Sequence, residues 1–204
     1  HGSLENQNRE FRSQARQDAL TGCYNRRAYE EDWERFREEI RHAPQGVAFL
    51  LFDCDRFKTI NDTYGHAKGD RVLTIIADAL VMALRANDRL YRLGGDEFAT
   101  FLARTTPAQS KQIAQRCQSL IEAAAFGDLG INEPVGISIG IAFCGPGQIE
   151  QIADLPKQAD IAMYTAKQPG RSRIALYGED TERATRTLVA SRETSALFQA
   201  LATP

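Results

Sequence analysis

The sequence predicts an α+β fold, a mixed α/β sandwich in which a central antiparallel sheet is flanked by helices. A continuous apolar run at 47–52 is typical of a central strand that is buried on both faces. Two shorter runs, at 89–93 and 97–102, flank Gly94-Gly95 as the arms of a β-hairpin with a tight two-glycine turn. Stretches with helical periodicity separate these strands, which favours helices packed on a sheet.

The first half of the chain is expected to run helix, strand, helix and hairpin. The first helix ends near Arg41, and its core-facing stripe comprises Tyr29, Trp33, Phe36 and Ile40. The strand at 47–52 ends at Asp53, and a polar loop follows it. A long amphipathic helix then begins at Gly69-Asp70 and ends near Arg85.

The second half is expected to run helix, strand, helix and strand. Pro107 suits the first turn of a helix that extends to about residue 125. Alternating apolar residues predict a strand at 135–143, and a helical segment at 149–167 is interrupted near Pro156. The run at 174–177 can close the sheet as its last strand.

The chain divides into three parts. Residues 1–17 comprise a tag remnant, His1-Gly2-Ser3, and a polar stalk helix in which Leu4 and Phe11 lie seven residues apart. Residues 18–178 form the folded domain, and residues 179–204 form a helical extension or tail. A chain of 204 residues is long enough for one well-buried core.

Composition excludes several classes of protein. The net charge of -2 provides no electrostatic footprint for DNA or an anionic membrane. The four cysteines lack zinc-ligand spacing, so reduced cytoplasmic thiols are favoured over a metal or disulfide framework. No apolar run reaches a membrane span and no signal peptide opens the chain, so we expect a cytoplasmic domain. A longer protein could still be membrane-anchored through an upstream region.

Acidic residues are expected at one edge of the predicted sheet, at the end of one strand and the beginning of another. Asp53 ends the buried strand, and Asp96-Glu97 begins the second arm of the hairpin. Magnesium binds one or two carboxylates together with substrate phosphates, so this edge suits a metal-bound nucleotide. The glycines at 94 and 95 let the backbone approach a ligand closely. Taken alone, the turn is more typical of a plain hairpin with two solvated acids, because Gly-Gly hairpins are common.

Several ordered motifs resemble the GGDEF-domain family of diguanylate cyclases. They are Leu20-Thr21-Gly22 with Asn25-Arg26-Arg27, the stretch 53–70, Arg92 with the turn at 94–98, and Ala166-Lys167 with Gly170-Arg171. The resemblance covers about residues 18–177. It implies the palm-like fold of nucleotidyl cyclases and the condensation of two GTP into cyclic di-GMP, a bacterial second messenger, with release of two pyrophosphates.

The resemblance also implies a metal centre. Asp53 and Asp96 would bind Mg²⁺, or Mn²⁺ in its place, with help from the backbone carbonyl of Cys54. Glu97 would lie close to a second metal ion. Asp96 would accept the proton of the 3′-hydroxyl, so Asp96 and Glu97 are the predicted catalytic residues.

Nucleotide contacts are implied on either side of this centre. Asn61 and Asp70 would read the guanine edge, although a turn-forming Asn and a helix-capping Asp are the structural alternatives. The phosphates would be held by side chains and by backbone amides near the start of the polar loop. The residues assigned to this role are Arg56, Phe57, Lys58, Lys167 and Arg171.

Two further properties follow from the resemblance. Each domain would bind one GTP, so catalysis requires a homodimer. An upstream sensor could act through the stalk to set how the two domains of this dimer face each other. Arg85-Ala86-Asn87-Asp88 matches the family's RxxD product-inhibition site, where guanidinium and carboxylate would bind guanine. A helix-terminal Arg beside a loop Asp is the plainer interpretation of this pair.

Two other functions compete with the cyclase. A non-catalytic receptor for GTP or cyclic di-GMP usually loses an acid from the turn, whereas Asp96 and Glu97 are both present. A cyclase that makes a mixed cyclic dinucleotide is disfavoured by Asp70, because adenine offers no N1–H to a carboxylate. No DNA partner and no direct membrane contact are expected.

Overall fold

The computed structural model describes residues 15–168 and 174–182. Five strands form one sheet: β1 (Val47–Cys54), β2 (Tyr91–Gly94), β3 (Glu97–Ala103), β4 (Ile137–Cys144) and β5 (Ile174–Leu176). Five α-helices pack around it: α1 (Arg26–His42), α2 (Phe57–Tyr64), α3 (His66–Ala83), α4 (Pro107–Glu122) and α5 (Leu155–Ala166). Two 3₁₀ segments, Phe126–Leu129 and Pro146–Asp154, connect them. The predicted α+β class is confirmed.

The sheet has the order β2-β3-β1-β4-β5. The pairs β2–β3, β3–β1 and β1–β4 are antiparallel, as expected, whereas β5 runs parallel to β4. A helix, α5, connects these last two strands, and a helical crossover returns the chain in the same direction. The sheet is therefore mixed at one edge and not entirely antiparallel.

The core consists of two apolar layers, one on each face of the sheet. Residues of α3 and α4 pack against one face, while residues of α1 and α5 pack against the other. The central strand β1 is buried along almost its whole length, as its continuous apolar run predicts. Gly140 lets α5 approach β4 directly, since a side chain there would come within 2.1 Å of the Ala159 carbonyl.

The polar stretch after β1 is helical where a loop was expected. Phe57, Ile60 and Tyr64 are spaced as one face of a helix, and Ile60 is buried beneath it. Asn61 therefore lies inside α2, and its interpretation as a turn residue is wrong. The next helix begins earlier than predicted, at His66. Asp70 lies within that helix, so its interpretation as an N-cap is also wrong.

The hairpin is present, but its turn is shifted by one residue. Gly94 pairs with Glu97 across the two strands, so the connecting residues are Gly95 and Asp96. The pairing shifts register between Arg92 and Gly94, and this irregularity places Gly94 in β2. Gly95 has a φ of 51°, which a glycine adopts without strain. Asp96 therefore lies at the tip of the turn itself.

The remaining predicted helices lie close to their expected positions. Helix α4 begins at Pro107 behind a capping box formed by Thr106 and Gln109. The predicted interruption near Pro156 is the junction between the 3₁₀ segment and α5. The stalk through residue 14, Arg171 and the tail beyond residue 182 lie outside the described residues. Within the described residues, no helix has the length and apolar character needed to cross a bilayer.

Candidate active site

The predicted catalytic carboxylates meet where β1 ends beside the hairpin. Asp53 and Glu97 are direct partners in the antiparallel register of β1 and β3, so their side chains share one face of the sheet. The amide of Cys54 donates to the carbonyl of Asp96 at 3.4 Å, which ties the turn to the end of β1. The backbone register therefore places Asp53 beside Glu97, and the turn that carries Asp96 adjoins the end of β1.

A lysine from a distant helix joins this group. Lys167, immediately after α5, forms an ion pair with Asp53 through Nζ and Oδ2. The Asp53 side chain is only 14% exposed, and burial lowers the pKa of Lys167. Lys167 was predicted to bind phosphate. The structure places it beside Asp53, which was predicted to bind the metal ion.

Partial loss of solvent disfavours ionisation of Asp96 and Glu97, although the Glu97 side chain stays exposed. Loss of solvent raises the pKa of Asp96, and the charge of Arg92 opposes this effect. Loss of solvent also raises the pKa of Glu97, and the charges of Asp96 and Asp160 raise it further. The negative charges of Asp96 and Asp160, which help to raise the pKa of Glu97, give this edge of the sheet a potential that favours a cation.

The donor set fits a hard divalent cation that also binds phosphate. Among the described residues, no three His, Cys, Asp or Glu side chains are grouped closely enough to ligate a metal by themselves. Magnesium does not require such a cage, because it takes one or two carboxylates and completes its shell with water and phosphate oxygens. Asp53 and Glu97, opposite each other on one face, match that requirement.

The side chain of Cys54 is directed into the core, so only its backbone could take the role predicted for this residue. Its side chain is 3% exposed in the core, where burial and the charges of Asp96 and Asp55 raise the pKa of the thiol to about 12. A thiol with this pKa stays protonated and unreactive. Asp55, two residues beyond Asp53, accepts a hydrogen bond from Ser138 Oγ at 2.6 Å.

The predicted nucleotide contacts lie on α2 and α3. Asn61 is partly buried in α2, whereas Asp70 is exposed on α3. Lys58 is exposed in the first turn of α2. The two helices are joined at Gly65, whose φ of 90° lets the chain reverse between them. The groups assigned to the base therefore come from adjacent helices.

Arg56 adopts a backbone conformation that is uncommon for a residue with a side chain. Its φ of 53° lies in the left-handed region, and it precedes the first residue of α2 without capping that helix through its side chain. Such conformations concentrate at ligand-binding sites. The first amides of α2 at Phe57 and Lys58 are then available to an anion at the helix N-terminus.

Arg92, for which the sequence predicted no role, forms hydrogen bonds that stabilise the turn. Arg92 donates through Nε and Nη2 to the carbonyl of Gly95, at 3.0 and 2.8 Å, and through Nη1 to Asp18 at 3.0 Å. Asp18 also accepts from the amide and hydroxyl of Thr21. The Asp-x-x-Thr spacing is typical of local side-chain capping and could have indicated the contact of Asp18 with Thr21, but not that with Arg92.

The two residues predicted to bind product, Arg85 and Asp88, lie at the opposite end of the hairpin from the turn. Asp88 accepts from the backbone amide of Arg85 at 3.1 Å, and the Arg85 guanidinium donates to the carbonyl of Ala103 at 3.3 Å. Burial raises the pKa of Asp88. Both residues line an open cavity of about 680 Å³ that also reaches Arg89 and Arg104. Arg85 and Asp88 thus stabilise the loop and still face a volume large enough for a ligand.

The sequence profile described as "Diguanylate cyclase, GGDEF domain" matches residues 15–173 of the chain. The probable diguanylate cyclase DgcE of Escherichia coli is 36% identical over 169 residues, which are 83% of this chain and 15% of DgcE. The diguanylate cyclase DgcP of Pseudomonas aeruginosa is 40% identical over 180 residues, 85% of this chain and 25% of DgcP. The chain therefore spans a minor part of these relatives.

A solved structure has the same fold. The coiled coil and GGDEF domain of DgcB from Caulobacter crescentus, in complex with c-di-GMP, superimposes with a TM-score of 0.77. It is 25% identical, and the match covers 86% of this chain and 92% of that one.

Proposed function

The chain belongs to the GGDEF domain family of diguanylate cyclases, and on that basis we propose that it condenses two GTP into cyclic di-GMP and two pyrophosphates. The observation that carries the proposal is the placement of Asp53 opposite Glu97, with Asp96 in the adjoining turn. Carboxylates at this position can bind a divalent metal ion, and the ion in turn can bind the triphosphate of the nucleotide.

The metal ligands in this proposal are Asp53, Asp96 and the carbonyl of Cys54, with Glu97 next to a second ion. Bound Mg²⁺ or Mn²⁺ supplies neutralisation of charge on the α-phosphate and on the departing pyrophosphate. Lys167, which pairs with Asp53 in the structure, would contact phosphate when the Asp53 carboxylate holds a metal ion. Its partial burial favours an anionic partner over water.

The chemical step needs one proton acceptor. A bond forms between the 3′-oxygen of one GTP and the α-phosphorus of the other, and the bond to the β-phosphate bridging oxygen breaks. The hydroxyl proton passes to the Asp96 carboxylate. A carboxyl with a raised pKa holds this proton better than an ordinary aspartate, provided that it starts ionised.

The substrate is held by three groups of contacts. Asn61 and Asp70 select guanine, and Asp70 accepts from the N1–H that adenine lacks. Lys58 and the amides at Arg56 and Phe57 hold phosphates at the start of α2. Lys167 and Arg171 supply further positive charge, Arg171 from outside the described residues.

The reaction involves two copies of the chain. One domain positions one GTP, so both phosphodiester bonds form only when two domains face each other. The 3′-hydroxyl in each site then reaches the α-phosphate in the other.

Cyclic di-GMP is also proposed to inhibit the enzyme at Arg85 and Asp88. The cavity beside them supports this because it combines a guanidinium and a carboxylate with additional arginines. Calorimetric titration with cyclic di-GMP should give binding to the wild type and at least about tenfold weaker binding to Arg85→Ala. Equal binding by the two proteins would contradict this assignment.

The proposed activity is tested by incubation with GTP and Mg²⁺ followed by nucleotide chromatography. Cyclic di-GMP and pyrophosphate should form, and both should be absent with chelator or in Asp96→Ala/Glu97→Ala. An ATP and GTP mixture separates this enzyme from one that makes a mixed dinucleotide. GTP binding without any product would identify the chain as a receptor instead.

A further inference from the structure

Gly69 lies so close to the side chain of Asn61 that a side chain at position 69 would displace the Asn61 amide. A Cβ built on Gly69 would come within 1.8 Å of Asn61 Oδ1 and 2.9 Å of Asn61 Cγ. The same atom would lie 3.4 Å from Phe57 Cζ. Gly69 is buried in the first turn of α3, so the Asn61 amide occupies the space that a side chain would fill.

The enclosed end of the Asn61 amide is its carbonyl oxygen. Oδ1 is buried without a hydrogen-bond partner among the described residues, and it is the only polar atom of this side chain in that condition. The oxygen and nitrogen of a planar amide point in different directions, so packing Oδ1 on Gly69 turns the NH₂ group away from α3. The accessible end of Asn61 is therefore a hydrogen-bond donor.

We propose that Gly69 is a positioning residue for nucleotide selection, because it fixes Asn61 as a donor towards the purine. This inference rests on the proposed function. The Asn61 NH₂ then pairs with an acceptor of guanine, such as O6 or N3, while Asp70 accepts from N1–H and the 2-amino group. One donor and one acceptor from adjacent helices complement guanine, because Asp70 meets the N1–H that adenine lacks and a donor at O6 would face the 6-amino group of adenine.

The effect of a side chain at position 69 can be separated from an effect on folding. Alanine is the better helix former, so propensity alone makes Gly69→Ala stabilising. The atoms that the new Cβ meets are the end of a side chain that can rotate, so we expect the melting temperature to stay within about 2 °C of the wild type. The substitution should therefore change the orientation of the Asn61 amide and leave the stability of the domain almost unchanged.

A double-mutant cycle tests the link between the two residues. Binding of 3′-deoxy-GTP, which lacks the attacking hydroxyl, is measured in the presence of Mg²⁺ for Gly69→Ala, Asn61→Ala and the double variant. Each single change should weaken binding by about three- to tenfold, the size of one hydrogen bond. The double variant should bind no more weakly than Asn61→Ala, because the alanine at 69 then has no amide to displace.

A second nucleotide identifies the polarity of the Asn61 contact. Inosine lacks the 2-amino group of guanine but keeps O6, N1–H and N3. If Asn61 is a donor, Asn61→Ala loses the same factor with 3′-deoxy-ITP as with 3′-deoxy-GTP. If its oxygen accepted from the 2-amino group, the loss would disappear with the inosine nucleotide, and the proposed orientation would be wrong.

The controls distinguish failure of this inference from failure of the proposed function. Gly127→Ala, at an exposed glycine where a Cβ meets no atom within 4 Å, should bind both nucleotides like the wild type. Normal binding by Gly69→Ala, or two losses that multiply in the double variant, would overturn the role of Gly69 alone. A wild type that binds no 3′-deoxy-GTP would overturn the proposed function and this inference together.

Discussion

The ionised carboxylate of Asp96, in the turn of the hairpin, lowers the stability of the folded domain. Loss of solvent raises the pKa of this carboxyl, and the folded protein therefore holds its proton more tightly than the unfolded chain does. The resulting stabilisation is present below the unfolded pKa, near 4, and is lost as pH rises through the folded value. At neutral pH the ionised Asp96 thus destabilises the metal-free domain.

Replacing Asp96 by asparagine should remove this destabilisation, because the amide carries no charge, and it should also abolish catalysis. In chelator at pH 7 we expect Asp96→Asn to melt about 2 °C above the wild type, with the difference shrinking as pH falls towards 4. Thermal unfolding followed by circular dichroism across that range measures both quantities. Asp128→Asn, at an exposed position, should show no such pH-dependent gain. A destabilised Asp96→Asn at pH 7 would contradict the argument.

At the scale of elements, Asp32 joins three parts of the fold. This carboxylate of α1 is 6% exposed and accepts from Arg16 and Arg89, at 2.7 and 2.8 Å, and from the hydroxyl of Tyr91 at 2.8 Å. Burial would raise the pKa of Asp32, but the hydrogen bonds outweigh burial and lower it. Its stabilising effect is therefore present above the unfolded pKa and is lost only as pH falls through the lower folded value.

Asp32→Ala should loosen the contact of α1 with β2 and with the segment that enters the domain. Removing the acceptor leaves the Arg89 guanidinium and the buried Tyr91 hydroxyl without this partner, whereas Arg16 keeps its ion pair with Glu31, and we expect a cost of about 2–3 kcal/mol. In a domain of this size that corresponds to a fall in melting temperature of about 4–12 °C. Glu30→Ala, which breaks an exposed ion pair with Arg26 on the same helix, should cost less than about 0.5 kcal/mol. Similar losses in the two variants would contradict the role of Asp32.

Arg92 links the entry segment to the catalytic turn. Its guanidinium contacts the Gly95 carbonyl and Asp18 together, a geometry that the single ammonium of lysine cannot reproduce. We expect Arg92→Lys to lower kcat about tenfold or more through misplacement of Asp96, while GTP affinity changes less than about twofold. Steady-state kinetics and calorimetry separate the two quantities. A loss confined to affinity would argue against a positioning role for Arg92.

The elements that could be predicted from sequence are those with a strong local pattern. The apolar run of β1 and the two hairpin arms indicated which carboxylates share a sheet edge, and the register of Asp53 with Glu97 agrees. Helix α2 was missed because its apolar face has only three residues among polar ones. The one-residue shift of the turn arises from irregular pairing near Arg92, which depends on the partner strand. Contacts such as Arg92 with Asp18, 74 residues apart, leave no local pattern.

At the scale of the whole molecule, one chain carries half of the proposed reaction. In the proposed mechanism each site would supply Asp96 and a 3′-hydroxyl, and a cyclic product would need two bonds and therefore two competent sites. Below the dissociation constant of the dimer, doubling the protein concentration should about double the specific activity. Initial rates of cyclic di-GMP formation over a dilution series measure this dependence, and a constant specific activity while light scattering reports loss of the dimer would contradict it.

Mixing experiments test the requirement for two sites more directly. Asp96→Asn keeps the rest of the surface unchanged, so its subunits should pair with wild-type subunits at random. In an equal mixture at a concentration that saturates dimer formation, half of the wild-type subunits then face an inactive partner. The specific activity per wild-type subunit should fall to about half, and it should fall further with excess variant. Gly127→Ala, added in the same amount as a control, should cause no such loss. Activity that stays constant as the variant is added would mean that each subunit completes the reaction without its partner's carboxylate.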